Sequence, residues 1–557
     1  MSKSTILERN MFAFSSVAPK LSIALGTATS TPNLSFIRSK RGAKVPLLFH
    51  EGAQLPLHSK VDPIREGERF YEYQPAGGFL LFLGFAGGYH ITPYLRRDDI
   101  SGILIIEESL SFLKSIASEF DLKELILDPR VQWLVEPDKA EVEQTLLESY
   151  LPAVSGDLRV LPLRSRTKTA KPFFDTVASV VAGTIESLSE DYSVQSYFGK
   201  RWFTNSVRNL DAAGHAITTI PPIRKAHITG AGPSLEKAIP LLKQRGRDDT
   251  LIATDTSLPA LLQEDIHPDL VISIDCQHIT YHHFLKGFPR EIPLVLDLAS
   301  PIFLSRLSDR PFFFTSGHPF SQYLNAHWRR FPVIDTSGGN VSHAAVSLAN
   351  SLGAEEIHIY GADFSYPEGK SYARGTYLYP FFHSQSERIL PAEHQFIEFI
   401  FRNETLTKEY VGKKIRYTTR PMVSYRNRLA LLSGKIGSKL IHHAGEGLPI
   451  DIPSSVRHRR ENNIVGTFFS AGKSNGSWND FLREYRDRVA TLPKADVSFT
   501  AHMAHLSLSQ RELSFTLFPA CAAIRKEEPQ SRTTLPGARI LNKAKAWTIE
   551  VIDSYLP

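Results

Sequence analysis

One pattern constrains this chain more than any other, and it returns repeatedly between residues 225 and 366. A short apolar run is followed by glycine, aspartate or a hydroxyl residue, and then by a segment with helical spacing. The clearest copy is Lys225-Ala-His-Ile-Thr-Gly-Ala-Gly-Pro-Ser-Leu235. Ala226 to Thr229 reads as a buried strand and Gly230-Ala231-Gly232 as a tight turn. Leu235, Ala238, Ile239 and Leu242 then recur at helical spacing, so a helix is expected from about Ser234. Pro233 suits its first turn, where a missing N–H costs nothing. A glycine turn ahead of a helix lets backbone N–H groups approach a phosphate, and it serves equally as a plain strand–helix connection.

The other copies end in the same chemistry. Leu251 to Thr254 stops at Asp255, and His267-Pro-Asp-Leu-Val-Ile-Ser-Ile-Asp275 gives a turn and a strand ending at Asp275. Ile292 to Leu296 stops at Asp297, and Glu356 to Tyr360 leads into Gly361-Ala-Asp363-Phe364-Ser-Tyr366. Asp335-Thr-Ser337-Gly338-Gly339-Asn340 precedes a helix with Val341, Ala344, Ala345, Leu348 and Leu352 on one face. Strands alternating with helices imply a largely parallel sheet, and such sheets bind ligands at the carboxyl ends of their strands. The glycines, aspartates and hydroxyls collect at those ends. Asp255 and Asp297 serve equally well as caps of the next helix, whereas Asp275 and Asp363 point to function. Ser337 and Gly338 form a second candidate anion site, with close helix packing as the plain alternative. His278, His282 and His283 have no cysteine or carboxylate spacing beside them and read as solvated loop residues.

Upstream, Phe79 to Leu83 ends in Gly84-Phe-Ala-Gly-Gly88, and Ile103 to Ile106 ends in Glu107-Glu108. This is the outline of a Rossmann-like unit whose acidic end would suit a ribose, but a structural domain without cofactor is the favoured reading. Asp62 or Ser59 is expected to cap a helix starting at Pro63. Four regions result: an N-terminal helix with irregular strands (1–60), a Rossmann-like domain (61–220, closing at Pro221-Pro222), a central domain (221–440) and a helical C-terminal region (441–557). Residues 367–420, rich in Tyr, Phe, Arg and His and broken by Pro380, Pro391 and Gly412, read as a loop-rich lid or a surface insertion. The fold class is α/β, a central Rossmann-like parallel sheet preceded by a smaller one.

Composition narrows the setting. Hydrophobic residues at 42% and charged residues at 22% fit a globular chain, and a net charge of +6 over 557 residues suits an anionic ligand without demanding nucleic acid. The two cysteines, Cys276 and Cys521, form neither a disulfide framework nor a metal motif, so a reducing, cytoplasmic setting is expected. No apolar run is long enough for a membrane span, and Pro19 and Lys20 interrupt the mildly apolar residues 11–30, so no signal peptide is expected.

Together, Gly230-Ala-Gly-Pro-Ser-Leu235, the 267–275 segment, Ser337-Gly-Gly-Asn-Val-Ser342 and Gly361-Ala-Asp-Phe364 resemble the motility accessory factor family. Leu57-His-Ser-Lys-Val-Asp-Pro-Ile-Arg-Glu66 and the Phe79 to Glu108 unit resemble its amino-terminal domain, so the likeness covers about residues 5–440. The resemblance implies a glycosyltransferase that moves a nonulosonic acid (pseudaminic, legionaminic or related) from a CMP-sugar to Ser or Thr of flagellin, in support of motility. The central domain is also similar to bacterial CMP-sugar sialyltransferases. By that comparison Gly230, Gly232, Pro233 and Ser234 line the donor phosphate, Ser337 and Gly338 contact the nucleotide, and Asp363, Phe364 and Tyr366 lie beside it. The sialyltransferases carry an asparagine where this chain has Asp255-Thr256, and their histidine base, in the lid, would correspond to His383, His394 or neither. No cofactor or metal is expected beyond the CMP-sugar donor. The core is similar, too, to archaeal enzymes that transfer diphosphate to a hydroxymethylpterin, and under that alternative Asp255 and Asp275 would serve Mg²⁺. A non-catalytic flagellin-binding module is the third alternative.

Overall fold

The computed structural model describes residues 3–75, 77–443, 445–452, 469–497, 499–528 and 537–557. Parts of the expected C-terminal region, 453–468 and 529–536, therefore lie outside the described residues, as do residues 1 and 2 of the N-terminal region. The chain divides into two units, Met1–Lys200 with Arg486–Glu550, and Arg201–Tyr485 with Val551–Pro557. The junction falls inside one long helix, Lys171–His215, and Pro221-Pro222 lies within the second unit.

The first unit opens with two helices, Lys3–Val17 and Pro19–Thr27, separated where Pro19 ends one and starts the next. A regular antiparallel sheet follows, β1 (Leu34–Arg38), β2 (Lys44–His50) and β3 (Ala53–Pro56), where the sequence suggested irregular strands. Asp62 caps the helix Pro63–Tyr73 by accepting the Arg65 N–H at 3.0 Å, with Pro63 in the first turn. Four parallel strands form the Rossmann-like sheet: β4 (Gly78–Leu83), β5 (Ile100–Glu107), β6 (Val131–Val135) and β7 (Leu158–Pro162), in the order β6-β5-β4-β7. Every residue of β5 is buried, Ser101 and Glu107 included, and its apolar run Ile103–Ile106 fits a sheet covered on both faces. The C-terminal helix Phe518–Glu527 belongs to this unit and packs on Pro152–Ser155, with the buried Arg525 donating to the Ala153 carbonyl at 3.2 Å.

The second unit is built on seven parallel strands. β8 (Thr219–Ile220) precedes them; then come β9 (Lys225–Thr229), β10 (Thr250–Thr254), β11 (Leu270–Ser273), β12 (Leu294–Asp297), β13 (Pro311–Phe314) and β14 (Glu356–Tyr360). β15 (Tyr366–Pro367), β16 (Thr407–Val411) and β17 (Lys414–Thr418) form a separate small antiparallel sheet, β18 (Lys439–His443) completes the main one, and β19 (Phe469–Ser470) pairs with β8. The main sheet has the order β13-β12-β11-β10-β9-β14-β18. Successive strands step one way from β9 to β13, and the chain then returns to the other side with β14. The order therefore reverses between β9 and β14, which opens a crevice at their carboxyl ends. Residues 367–420 are more regular than the sequence suggested. They fold as two helices, Leu378–Ser384 and Ala392–Phe401, and the β16–β17 hairpin turning at Gly412, around a core of Leu378, Phe382 and Ala392. Pro391 precedes a helix here and does not break one.

Candidate functional site

At the reversal point the glycine turn after β9 meets the loop after β14. The Gly230 N–H donates to the Tyr360 carbonyl at 2.8 Å and the Gly232 N–H to the Gly361 carbonyl at 2.7 Å. The Ser234 N–H, at the start of helix Leu235–Lys243, donates to Asp363 Oδ2 at 3.0 Å. These N–H groups are thus held by the protein's own acceptors, the one at Ser234 by a carboxylate. Gly232 has to be glycine, because a Cβ there would lie 2.1 Å from Asp363 Oδ2 and 2.7 Å from the Gly361 carbonyl oxygen. Asp363 is 2% exposed, and its Oδ1 has no partner among the described residues. Burial pushes its carboxyl up to about 6, against the pull of the Ser234 hydrogen bonds. Asp363 does not cap its own loop: the Gly369 N–H goes to the Tyr366 carbonyl, and Asp363 reaches across to the glycine turn.

The second glycine segment lies beside the first. Asn340 caps the helix Val341–Ser351 by accepting the His343 N–H at 3.0 Å, and the Ser342 hydroxyl lies 3.3 Å from where a Cβ on Gly230 would be. Gly338 sits flat on the His343 ring, Ser337 is exposed, and its carbonyl accepts from Arg428 at 3.0 Å. Tyr425 covers Gly339. Phe364, held at a positive φ of 47°, packs into the core beneath, and Tyr366 begins β15.

Asp255 and Asp275 close the other side. Asp255 accepts the Ser273 hydroxyl at 2.6 Å and the Thr256 N–H at 2.7 Å. Asp275 accepts the Gln277 N–H at 2.9 Å, and burial with the nearby Asp255 charge raises its carboxyl, while His283 opposes the shift. His278 is exposed, whereas His282 and His283 are half-buried: the His283 ring meets Tyr377 edge-on at 4.7 Å, and His282 stacks on the same ring at 5.8 Å. Neighbouring aromatic rings, which spacing cannot reveal, partly cover these two.

Tyr372 joins the two sides. The Ala373 N–H donates to the Ala231 carbonyl at 2.8 Å, laying residues 372–373 over the glycine turn. The Tyr372 hydroxyl is raised by burial and by nearby Tyr377, Tyr366, Asp255 and Tyr425, so these groups converge on one place. Burial raises Tyr366 and Tyr377 as well, with Arg402 opposing both. At neutral pH all three phenols keep their protons and are hydrogen-bond donors. Tyr372, Tyr377, Tyr425 and Arg402 escaped the sequence reading; the only signal was the Tyr-rich composition of 367–420. His383 and His394 stand exposed on the two lid helices, apart from this convergence.

Comparison with known proteins agrees in outline. Residues 200–369 match the family model described as 6-hydroxymethylpterin diphosphokinase MptE-like. A solved structure described as Maf glycosyltransferase from Magnetospirillum magneticum AMB-1 is similar over 100% of this chain and 96% of that one, with a TM-score of 0.59 and 14% identity, a likeness of fold. An uncharacterized protein of Treponema pallidum (strain Nichols) is 40% identical over 127 residues, 22% of this chain and 45% of that protein. Another uncharacterized protein of the same organism is 33% identical over 171 residues, which are 29% of this chain and 80% of that protein. The chain belongs to the family of this last protein.

Proposed function

We propose that this protein is a glycosyltransferase that moves a nonulosonic acid from a CMP-sugar to a Ser or Thr hydroxyl of flagellin. The observation that carries the reading is the crevice between β9 and β14, where three half-buried tyrosines, two glycine turns and Asp363 lie within a fold shared end to end with a Maf glycosyltransferase. Transfer breaks the bond from the anomeric carbon to a single phosphate. The phenols of Tyr366, Tyr372 and Tyr377 are assigned the part of hydrogen-bond donors to the charge that develops there. Asp363, with a carboxyl titrating near neutrality, is assigned the part of base or charged orienter toward the attacking hydroxyl. Flagellin isolated from cells with and without the protein tests the reading: its intact mass should fall by whole sugar residues when the protein is missing. An unchanged mass would exclude flagellin as the acceptor.

The family-model match over residues 200–369 favours a second reading, Mg²⁺-dependent transfer of diphosphate from ATP to a small alcohol. Turnover of a CMP-sugar that persists in EDTA separates the first reading from this one.

A further inference from the structure

The crevice is rich in carboxylates, with Asp255, Asp275 and Asp363 on its rim, yet the donor proposed above carries two negative groups of its own, a phosphate and a sugar carboxylate. A cation is therefore required. Arg402 ends the lid helix Ala392–Phe401 and has an exposed side chain that makes no ion pair among the described residues. Its guanidinium carbon sits 4.7 Å from the centre of the Phe399 ring. Phe399 in turn packs with Tyr372 at 6.2 Å and with Phe382 at 6.1 Å. The preceding residue, Phe401, meets Tyr417 at 5.2 Å, and Tyr417 is the cross-strand partner of Tyr366. Two independent sets of contacts thus set Arg402 beside the tyrosines that line the crevice. The same nearness appears in its opposing pull on Tyr366 and Tyr377. Three further cations of this region are engaged elsewhere: Lys370 with Glu236, Lys414 with Glu368 and Glu446, and Arg416 with Glu409.

We propose that Arg402 recognises the carboxylate of the acidic sugar on the donor and so selects acidic over neutral sugars; this rests on the glycosyltransferase reading above. A guanidinium presents paired N–H donors that match both oxygens of a carboxylate, a fit that lysine's single ammonium does not reproduce. Stacked on Phe399, it is oriented in advance.

The experiment is calorimetry of CMP and of CMP-N-acetylneuraminic acid on the full chain, for wild type, Arg402→Gln and Arg402→Lys. The side chain is exposed, so both variants should keep the wild-type melting temperature. Arg402→Gln should bind the CMP-sugar about 30-fold or more weakly while CMP itself changes less than about 3-fold, with Arg402→Lys between. An equal loss for CMP would place Arg402 on the phosphate and overturn the assignment, as would no loss for either ligand. Failure of the wild type to bind either ligand would instead sink the glycosyltransferase reading on which the inference stands.

Discussion

Each unit carries a strand, a glycine turn and a carboxylate from a neighbouring part of its own sheet; burial raises both carboxyls, and the two constellations differ in what compensates the charge. In the first unit Glu107, at the end of β5, accepts the Phe85 N–H of the turn at 2.8 Å. Arg166 then pairs with both Glu107 at 2.6 Å and Glu108 at 2.7 Å. Gly84, at a φ of 87°, exists to let this arginine through, since a Cβ there would lie 2.8 Å from Arg166 Cβ. The position that would suit a ribose is filled and its charge neutralised. In the second unit Asp363 accepts the Ser234 N–H in the same way, but no cation pairs with it among the described residues, and one of its oxygens is unpartnered. A compensated carboxylate is architecture. An uncompensated one, its carboxyl pushed up to about 6 by burial, is a candidate for chemistry.

The largest effect that would break this contrast is expected in the first unit. Arg166→Met leaves Glu107 buried and unpaired, and should cost about 3–5 kcal/mol in denaturant unfolding, with Glu107→Gln recovering part of the loss in the double variant. A cost below about 1 kcal/mol would mean the pair does not neutralise the site.

Next comes the turn itself. Gly232→Ala drives a Cβ against both Asp363 Oδ2 and the Gly361 carbonyl, and should cost about 2 kcal/mol or more, with CMP binding lost in calorimetry. An unaffected melting temperature would show that the turn and the β14 loop move apart freely.

The smallest stability effect sharpens the comparison most. Asp363 has a folded pKa of about 6 against an ordinary 3.8, so its folded state favours the proton. That contribution is complete below the ordinary value and is lost as the pH rises through about 6. Asp363→Asn keeps an acceptor for Ser234 without the buried charge. It should therefore be more stable than wild type by about 1–2 kcal/mol at pH 8, with the gain shrinking to nothing near pH 4. The same variant should lose transfer by about two orders of magnitude while CMP still binds, if the carboxylate acts on the attacking hydroxyl. Near-normal transfer would move the search for a base to His283, which faces Asp275 and Tyr377. A stability gain joined to an activity loss would identify a group kept for function.

Local order sufficed for much of this. The parallel sheet of the second unit was legible from its alternating strands and helices, because apolar periodicity is a property of neighbouring residues. The cap at Asp62 was legible because a cap acts over three residues, and the helix start near Ser234 because apolar spacing is local. The crevice was legible too, since glycine and aspartate at strand ends mark where a parallel sheet opens. The tertiary structure alone decided what those residues face. Whether a carboxylate meets Arg166 or nothing depends on side chains 59 residues apart for Glu107 and 129 apart for Asp363 and Ser234. How far His283 is covered depends on Tyr377, and whether 367–420 is irregular or folded depends on a small core of Leu378, Phe382 and Ala392. Spacing along the chain reports periodicity, but burial and charge compensation are long-range quantities, and they separate a glycine turn whose carboxylate is paired from one whose carboxylate is not.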